Sequence, residues 1–195
     1  MKTLKINSIK TVLLFCLSLV CFATSCINQN KDVSSKSGIT SKIEVPKQNI
    51  HEAIISNNFE ALKQHIKAGR DINKKEPMGG STPIITAITF NKPEMVKALL
   101  KANVDLSIKN NDGSTALHTA AFFGKVKMVQ MLIDANADTT IKNNYGATPR
   151  EVVLGDFSQI KPVYEMMMMQ LEPMGFELDL TEVEKARPVI AIMLQ

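Results

Sequence analysis

Apolar residues along the chain follow one spacing twice. Val96, Leu99 and Leu100 stand at the i, i+3, i+4 positions of a helix with one buried stripe, and Val129, Leu132 and Ile133 repeat that stripe 33 residues later. Ala120 and Ala121 are small where two helices must approach closely. Gly69, Asn103 and Asn136 follow the stripes, at the point where a helix ends in a left-handed residue; glycine and asparagine adopt that conformation at least cost. The pattern predicts pairs of short helices joined by extended polar loops near 72–81, 105–114 and 138–147, with no sheet of three or more strands.

The same period governs the loops. Thr82, Thr115 and Thr148 lie 33 apart, each with a glycine two residues ahead (Gly80, Gly113, Gly146). Asn103-Val104-Asp105 recurs as Asn136-Ala137-Asp138, and Ile108-Lys109-Asn110-Asn111 as Ile141-Lys142-Asn143-Asn144. A degenerate first copy, from Ile50-His51-Glu52-Ala53 to Gly69, is offset by 34 because Pro77-Met78-Gly79-Gly80 lengthens its loop. A fixed period of this length signals units that cannot bury their own apolar face and must stack on neighbours.

Thr115-Ala116-Leu117-His118-Thr119-Ala120 resembles the Thr-Pro-Leu-His-x-Ala signature of the ankyrin repeat, and Thr82-Pro83-Ile84-Ile85-Thr86-Ala87 is similar to it less completely. The resemblance covers 49–171 in about four units, the first and last degenerate. It implies an all-α ankyrin repeat solenoid of stacked helix-turn-helix units joined by β-turn loops. It also implies that Thr115 and His118 hold the turn into the first helix by hydrogen bonds, so that His118 is structural. Thr148-Pro149-Arg150-Glu151 begins the fourth unit, with Arg150 and Glu151 in place of the Leu and His, as suits a terminal repeat with a more polar outer face.

Beyond the signature, Lys161-Pro162 reads as a helix start with proline in its first turn. The helix runs into Met166-Met167-Met168-Met169. Thioethers suit Cu(I), but four successive methionines point all round a helix, and methionine is an adaptable filler of core gaps; packing is the expected role. In the extension 172–195, Thr181-Glu182-Val183-Glu184 forms a capping box opening a short helix that stops at Pro188. The apolar segment 189–194 is expected to cover the end of the stack.

The amino terminus has another character. Lys2, Lys5 and Lys10 precede an apolar run from Val12 to Phe22, about a dozen residues where a spanning helix needs about twenty, and then Ala23-Thr24-Ser25-Cys26. Residues 1–25 resemble a bacterial lipoprotein signal, although Ala23 stands where leucine is usual. All three cysteines, Cys16, Cys21 and Cys26, fall in the first 26 residues, so Cys26 is the only thiol left after cleavage and lipidation is the economical expectation. Residues 26–48, rich in Asn, Lys, Ser and Thr, read as a flexible tether. The expected location is the cell envelope, facing the periplasm or displayed at the surface. Ile27 lacks the acidic residue that retains some lipoproteins at the inner membrane, which favours the outer one.

Losing Lys2, Lys5 and Lys10 with the signal lowers the formal net charge from +4 to +1, which argues against nucleic acid as a partner. His51, His65 and His118 fall in different units with no Cys or acidic residue at ligand spacing. There is no glycine-rich phosphate loop and no nucleophile elbow. No cofactor, metal or catalytic residue is therefore expected.

The resemblance implies a non-catalytic protein-interaction module, monomeric, touching a membrane only through its lipid. The alternative is an immunity or inhibitory protein that neutralises an exported toxin or hydrolase through the same surface; an enzyme or metal carrier is the remotest reading. Partner-contacting positions in such stacks are the loop tips and the exposed side of each first helix. In one unit these are Met78, Ser81, Thr89 and Phe90. The next offers Lys109, Asn111, Asp112, Ser114, Phe122 and Phe123, and the last adds Lys142, Asn144 and Tyr145. Phe122 and Phe123 are also placed to pack between neighbouring helices, which leaves Tyr145 as the cleanest aromatic anchor.

Overall fold

The computed structural model describes residues 46–70 and 72–195; Cys26, the segment expected to be an export signal and nearly all of the expected tether lie outside them. Three helix pairs follow one another: α1 (Ile50–Ile55) with α2 (Phe59–Ala68), α3 (Pro83–Thr89) with α4 (Pro93–Lys101), and α5 (Ala116–Phe122) with α6 (Val126–Asp134). Local chemistry sets their ends. Asn49 and Glu52 form a reciprocal capping box on α1, Pro83 and Pro93 occupy first-turn positions where no N–H is missed, and Gly69, Asn103 and Asn136 carry the expected positive φ. Asn57, Asn91 and Gly124 take the same conformation between the two helices of each pair. No strand occurs among the described residues, and none of their helices is long and apolar enough to cross a membrane.

The first helices of the second and third units are wedged between neighbours and buried nearly all round: every residue from Pro83 to Ile88 and from Ala116 to Ala121 is buried, whereas terminal α1 buries only Ile50, Ala53 and Ile54. Second helices bury one stripe, Met95, Val96 and Leu99 on α4 and Met128, Val129 and Leu132 on α6. One apolar core thus runs through the stack from Ile50 to Leu194.

The single-residue offset of the first unit lies where the sequence placed it. In the later loops, here called fingers, the Asn110 and Asn143 amides each bond the carbonyl four residues on (Ser114, Ala147), whereas Glu76 bonds Ser81, five on. Side chains follow suit. Asn110 Oδ1 accepts from the Asp112 and Ser114 amides and Asn143 Oδ1 from Tyr145 and Ala147, while the carboxylate of Glu76 accepts from Met78, Gly79 and Ser81. A longer loop is organised by a longer arm.

The fourth unit is assembled discontinuously. Its first helix shrinks to one 3-10 turn, Glu151–Val153, in which Glu151 and Thr148 cap each other. The chain then leaves the stack as α7 (Phe157–Leu171), passes through a second 3-10 turn (Glu172–Met174), and returns as α8 (Leu180–Met193). α8 packs on α6 and on the Glu151–Val153 turn, which is the place of a second helix in this array. Ala186, Ile190, Ala191 and Leu194 extend the common core, while Val189 and Ile192 of the same apolar segment stay exposed.

Details differ from the sequence expectation at both outer helices. α7 starts at Phe157, because the Asp156 side chain accepts from the Ser158 amide, and Pro162 therefore sits inside it. α8 is capped by Asp179, which accepts from the Thr181 and Glu182 amides, and it continues through Pro188. An interior proline costs about 3 kcal/mol. Burial of Ile190 and Leu194, at about 1.5–3 kcal/mol each, offsets it.

Candidate interaction surface

Successive fingers are stitched together. The Asn111 amide donates to the Gly79 carbonyl (2.9 Å) and its Nδ2 to the Met78 carbonyl (2.8 Å); one unit on, Asn144 does the same to Asp112 (2.9 Å) and Asn111 (2.9 Å). Lys109 Nζ adds a bond to the Lys142 carbonyl (2.9 Å). These links fix the spacing of the tips, so the tip pairs Met78-Gly79, Asn111-Asp112 and Asn144-Tyr145 of the three fingers form one row. Met78 is 67% and Tyr145 63% exposed, large for apolar side chains. Lys109, Asn111, Asp112, Lys142 and Asn144 are exposed on the same row, with Ser81 and Ser114 half-buried behind it.

Under the tips, His118 closes the third unit on the fourth. Its Nδ1 accepts from Thr115 Oγ1 (2.9 Å) and from the Thr115 amide (3.2 Å), which makes Nε2 the donor to the Ala147 carbonyl (3.0 Å). Burial holds its pKa below the usual histidine value. His51 takes the equivalent position in the first unit, with Nε2 2.8 Å from the Lys74 carbonyl. Both rings hold loops in place.

Thr89, Phe90, Phe122 and Phe123 stand at the other end of the first helices, about 10 Å along the axis from the end the fingers lead into, for seven residues at 1.5 Å rise. Thr89 is half-buried and returns its hydroxyl to the Ile85 carbonyl. The phenylalanines are covered by the chain itself. Phe122 lies against the Tyr164 ring with centroids 4.5 Å apart, and Phe176 meets Phe90 and Phe123 edge-on at 6.2 and 5.5 Å. Phe123 is therefore buried, at 3% exposure, and leaves the expected contact surface; Phe90 and Phe122 are half-covered. The cause is apolar area: these rings border a second cluster of Tyr164, Phe176, Leu178 and Val183, with Met167 and Met168 filling its edges. Met169, by contrast, is 77% exposed.

Arg187 ties this cover to the stack. It is buried, its Nη2 donates to the Gly155 carbonyl (2.8 Å), and its guanidinium lies 5.8 Å from the Phe157 ring centroid. Nothing in the sequence marked Tyr164, Phe176 or Arg187 for this part, since they belong to no repeat. Glu76 could have been found, as the residue facing the lengthened loop.

The helix pairs, period and stitched fingers are those of an ankyrin solenoid. Residues 50–143 match the family model described as ankyrin repeats, in three copies. Among solved structures, the one entitled "Crystal structure of the ankyrin repeat domain of Bcl-3: a unique member of the IkappaB protein family" is similar, with 30% identity, a TM-score of 0.51, and coverage of 53% of this chain and 45% of that one. Protein phosphatase 1 regulatory subunit 27, from Homo sapiens and from Mus musculus, is 33% identical over 63 residues. That match takes in 32% of this chain and 40% of the relatives' length. The likeness is thus one of repeats, and ankyrin repeats suggest protein–protein interaction.

Proposed function

We propose that the protein is a non-catalytic protein-interaction module, carried on a lipid-anchored lipoprotein of a bacterial cell envelope. The carrying observation is the stitched row of fingers, which keeps Met78 and Tyr145 exposed on a backbone already ordered by hydrogen bonds. Preorganised apolar anchors lower the entropy cost of association. Affinity capture of a folded protein partner from the envelope tests this. Tyr145→Ala should keep the fold and weaken capture by more than about 1 kcal/mol, while Lys97→Ala on α4 should do neither. Equal effects of the two substitutions would move the surface elsewhere. The anchor has its own test, mass spectrometry of the mature protein: an acylated Cys26 at the amino terminus supports it, and an unacylated one or a retained signal refutes it.

A second reading draws on the likeness to a phosphatase regulatory subunit: the partner is an enzyme, and binding inhibits or neutralises it. Loss of a captured enzyme's activity on adding the protein supports that reading, and unchanged activity removes it.

A further inference from the structure

Each internal finger ends in the same socket. Gly80 and Gly113 are left-handed, with φ of 67° and 73°, and a Cβ on either would lie 2.3 or 2.4 Å from the side-chain oxygen of the Asn that packs on it, Asn111 or Asn144. The carbonyl two residues before each glycine, that of Met78 or Asn111, accepts that asparagine's Nδ2. The socket therefore recognises a carboxamide against a bare glycine face.

The third finger builds the same shape. Gly146 has φ 76°, its amide donates to the Asn143 carbonyl as Gly113 donates to Asn110 (both 3.0 Å), and the Asn143 side chain holds the amides of Tyr145 and Ala147. Yet among the described residues nothing but its own chain neighbours lies within 4 Å of the place where a Cβ on Gly146 would stand. The residue one period after Asn144 is Glu177, which follows α7, lies outside the finger row, and has no side-chain N–H to donate.

We infer that this third socket binds an asparagine-bearing turn of the partner protein, which adds itself to the row as a fourth finger. The inference rests on the protein-interaction reading above and gives that partner a chemistry. Two repeats of the same contact within the chain specify the occupant as a carboxamide, with Nδ2 directed at the Asn144 carbonyl and its side chain against Gly146. A second copy of this chain does not fit in register, because the residue two places ahead of Gly80 in its first finger, where Asn111 and Asn144 stand in the later ones, is Met78, which has no carboxamide.

The test uses the full chain labelled with ¹⁵N and, as probe, a head-to-tail cyclised peptide with the sequence of residues 105–114, which contains Asn111. Titration to about 2 mM peptide should shift the amide resonances of residues 144–147 saturably, and the Asn111→Asp peptide should bind about tenfold more weakly or less. Gly146→Asn, a residue the left-handed backbone accepts as it does at Asn103 and Asn136, should abolish the shifts. Absence of shifts, equal binding of the Asp peptide, or shifts confined to other residues would overturn the inference. So would shifts at 144–147 that grow with protein concentration alone, since a second copy would then be the occupant. If Gly146→Asn fails to fold, the comparison of the two peptides on the unaltered chain still decides. Carried into the capture experiment, a Gly146→Asn protein that keeps its partner while Tyr145→Ala loses it removes the socket and leaves the interaction surface standing; indifference to both removes both.

Discussion

The Tyr164 hydroxyl donates to the carbonyl of Phe122 at 2.6 Å, joining residues 42 apart in sequence. Tyr164 is the one fully buried side chain of the fifteen-residue α7, so that helix is held on the stack largely through it. Tyr164→Phe keeps the ring and deletes the donor. It should lower stability by about 1–3 kcal/mol, read as a shift in the urea midpoint, with the repeat core retaining its helical signal.

Burial pushes the Tyr164 phenol up to about 12, even with the Arg187 charge pulling it down. The unfolded chain sheds this proton near 10.0 and the folded chain only near 12, so the stabilisation is complete below pH 10 and disappears as pH rises towards 12. The unfolding free energy should fall by about 2–3 kcal/mol over that window, and the fall should be smaller by most of that amount in Tyr164→Phe.

His118 acts at the other end of the scale. Its folded pKa lies below the 6.5 of the free side chain, because burial disfavours the cation and Nδ1 must stay unprotonated to accept from Thr115. The unfolded state takes up the proton first as pH drops. Stability is thus present above pH 6.5 and is lost below it, a slope that His118→Gln should flatten in urea titrations between pH 7 and 5.

Thr82 and Thr115 occupy equivalent caps with opposite energetics. Thr115 Oγ1 has His118, whereas Ile85 stands at the matching position of the second unit and Thr82 Oγ1 is buried without a hydrogen-bond partner. Thr115→Val should cost about 1–3 kcal/mol, while Thr82→Val should be neutral or stabilising by up to about 1 kcal/mol. Thermal unfolding of the two variants measures the contrast directly.

Gly124 shows how α8 reaches the stack. A Cβ there would come within 2.9 Å of Val183 Cα and 3.2 Å of Ala186 Cβ, both on α8, whereas the equivalent left-handed positions Asn57 and Asn91 carry side chains. Gly124→Asn suits the backbone but collides with α8, and it should cost about 2–4 kcal/mol with faster amide exchange concentrated in 180–193. Asn91→Gly should change stability by less than about 1 kcal/mol.

Periodicity was enough to read the helix pairs, the left-handed residues after the second helices and the lengthened first loop, because each follows from a spacing that recurs along the array, while the role of His118 followed from the resemblance of 115–120 to the ankyrin signature. What escaped lies outside the period. Pro188 reads as a helix stop on local propensity, and only the burial of Ile190 and Leu194 carries α8 past it. Phe123 reads as a surface aromatic of a first helix; its burial depends on Phe176, which no spacing rule connects to it. The finger row, by contrast, could be assigned residue by residue, since Asn111 and Asn144 repeat both the sequence and the bond.

Because α8 substitutes for a second helix but arrives only after residues 154–179, the last unit has to close a loop of about 26 residues where the others close a turn of about three. Loop-closure entropy growing as (3/2)RT ln n makes that about 2 kcal/mol more costly. An array of identical neighbours would fray equally at its two ends. Here the fraying is polarised: the carboxy-terminal unit should open first, and when it does it releases α8 from α6 and the aromatic cover from Phe122 and Phe123 in one cooperative step.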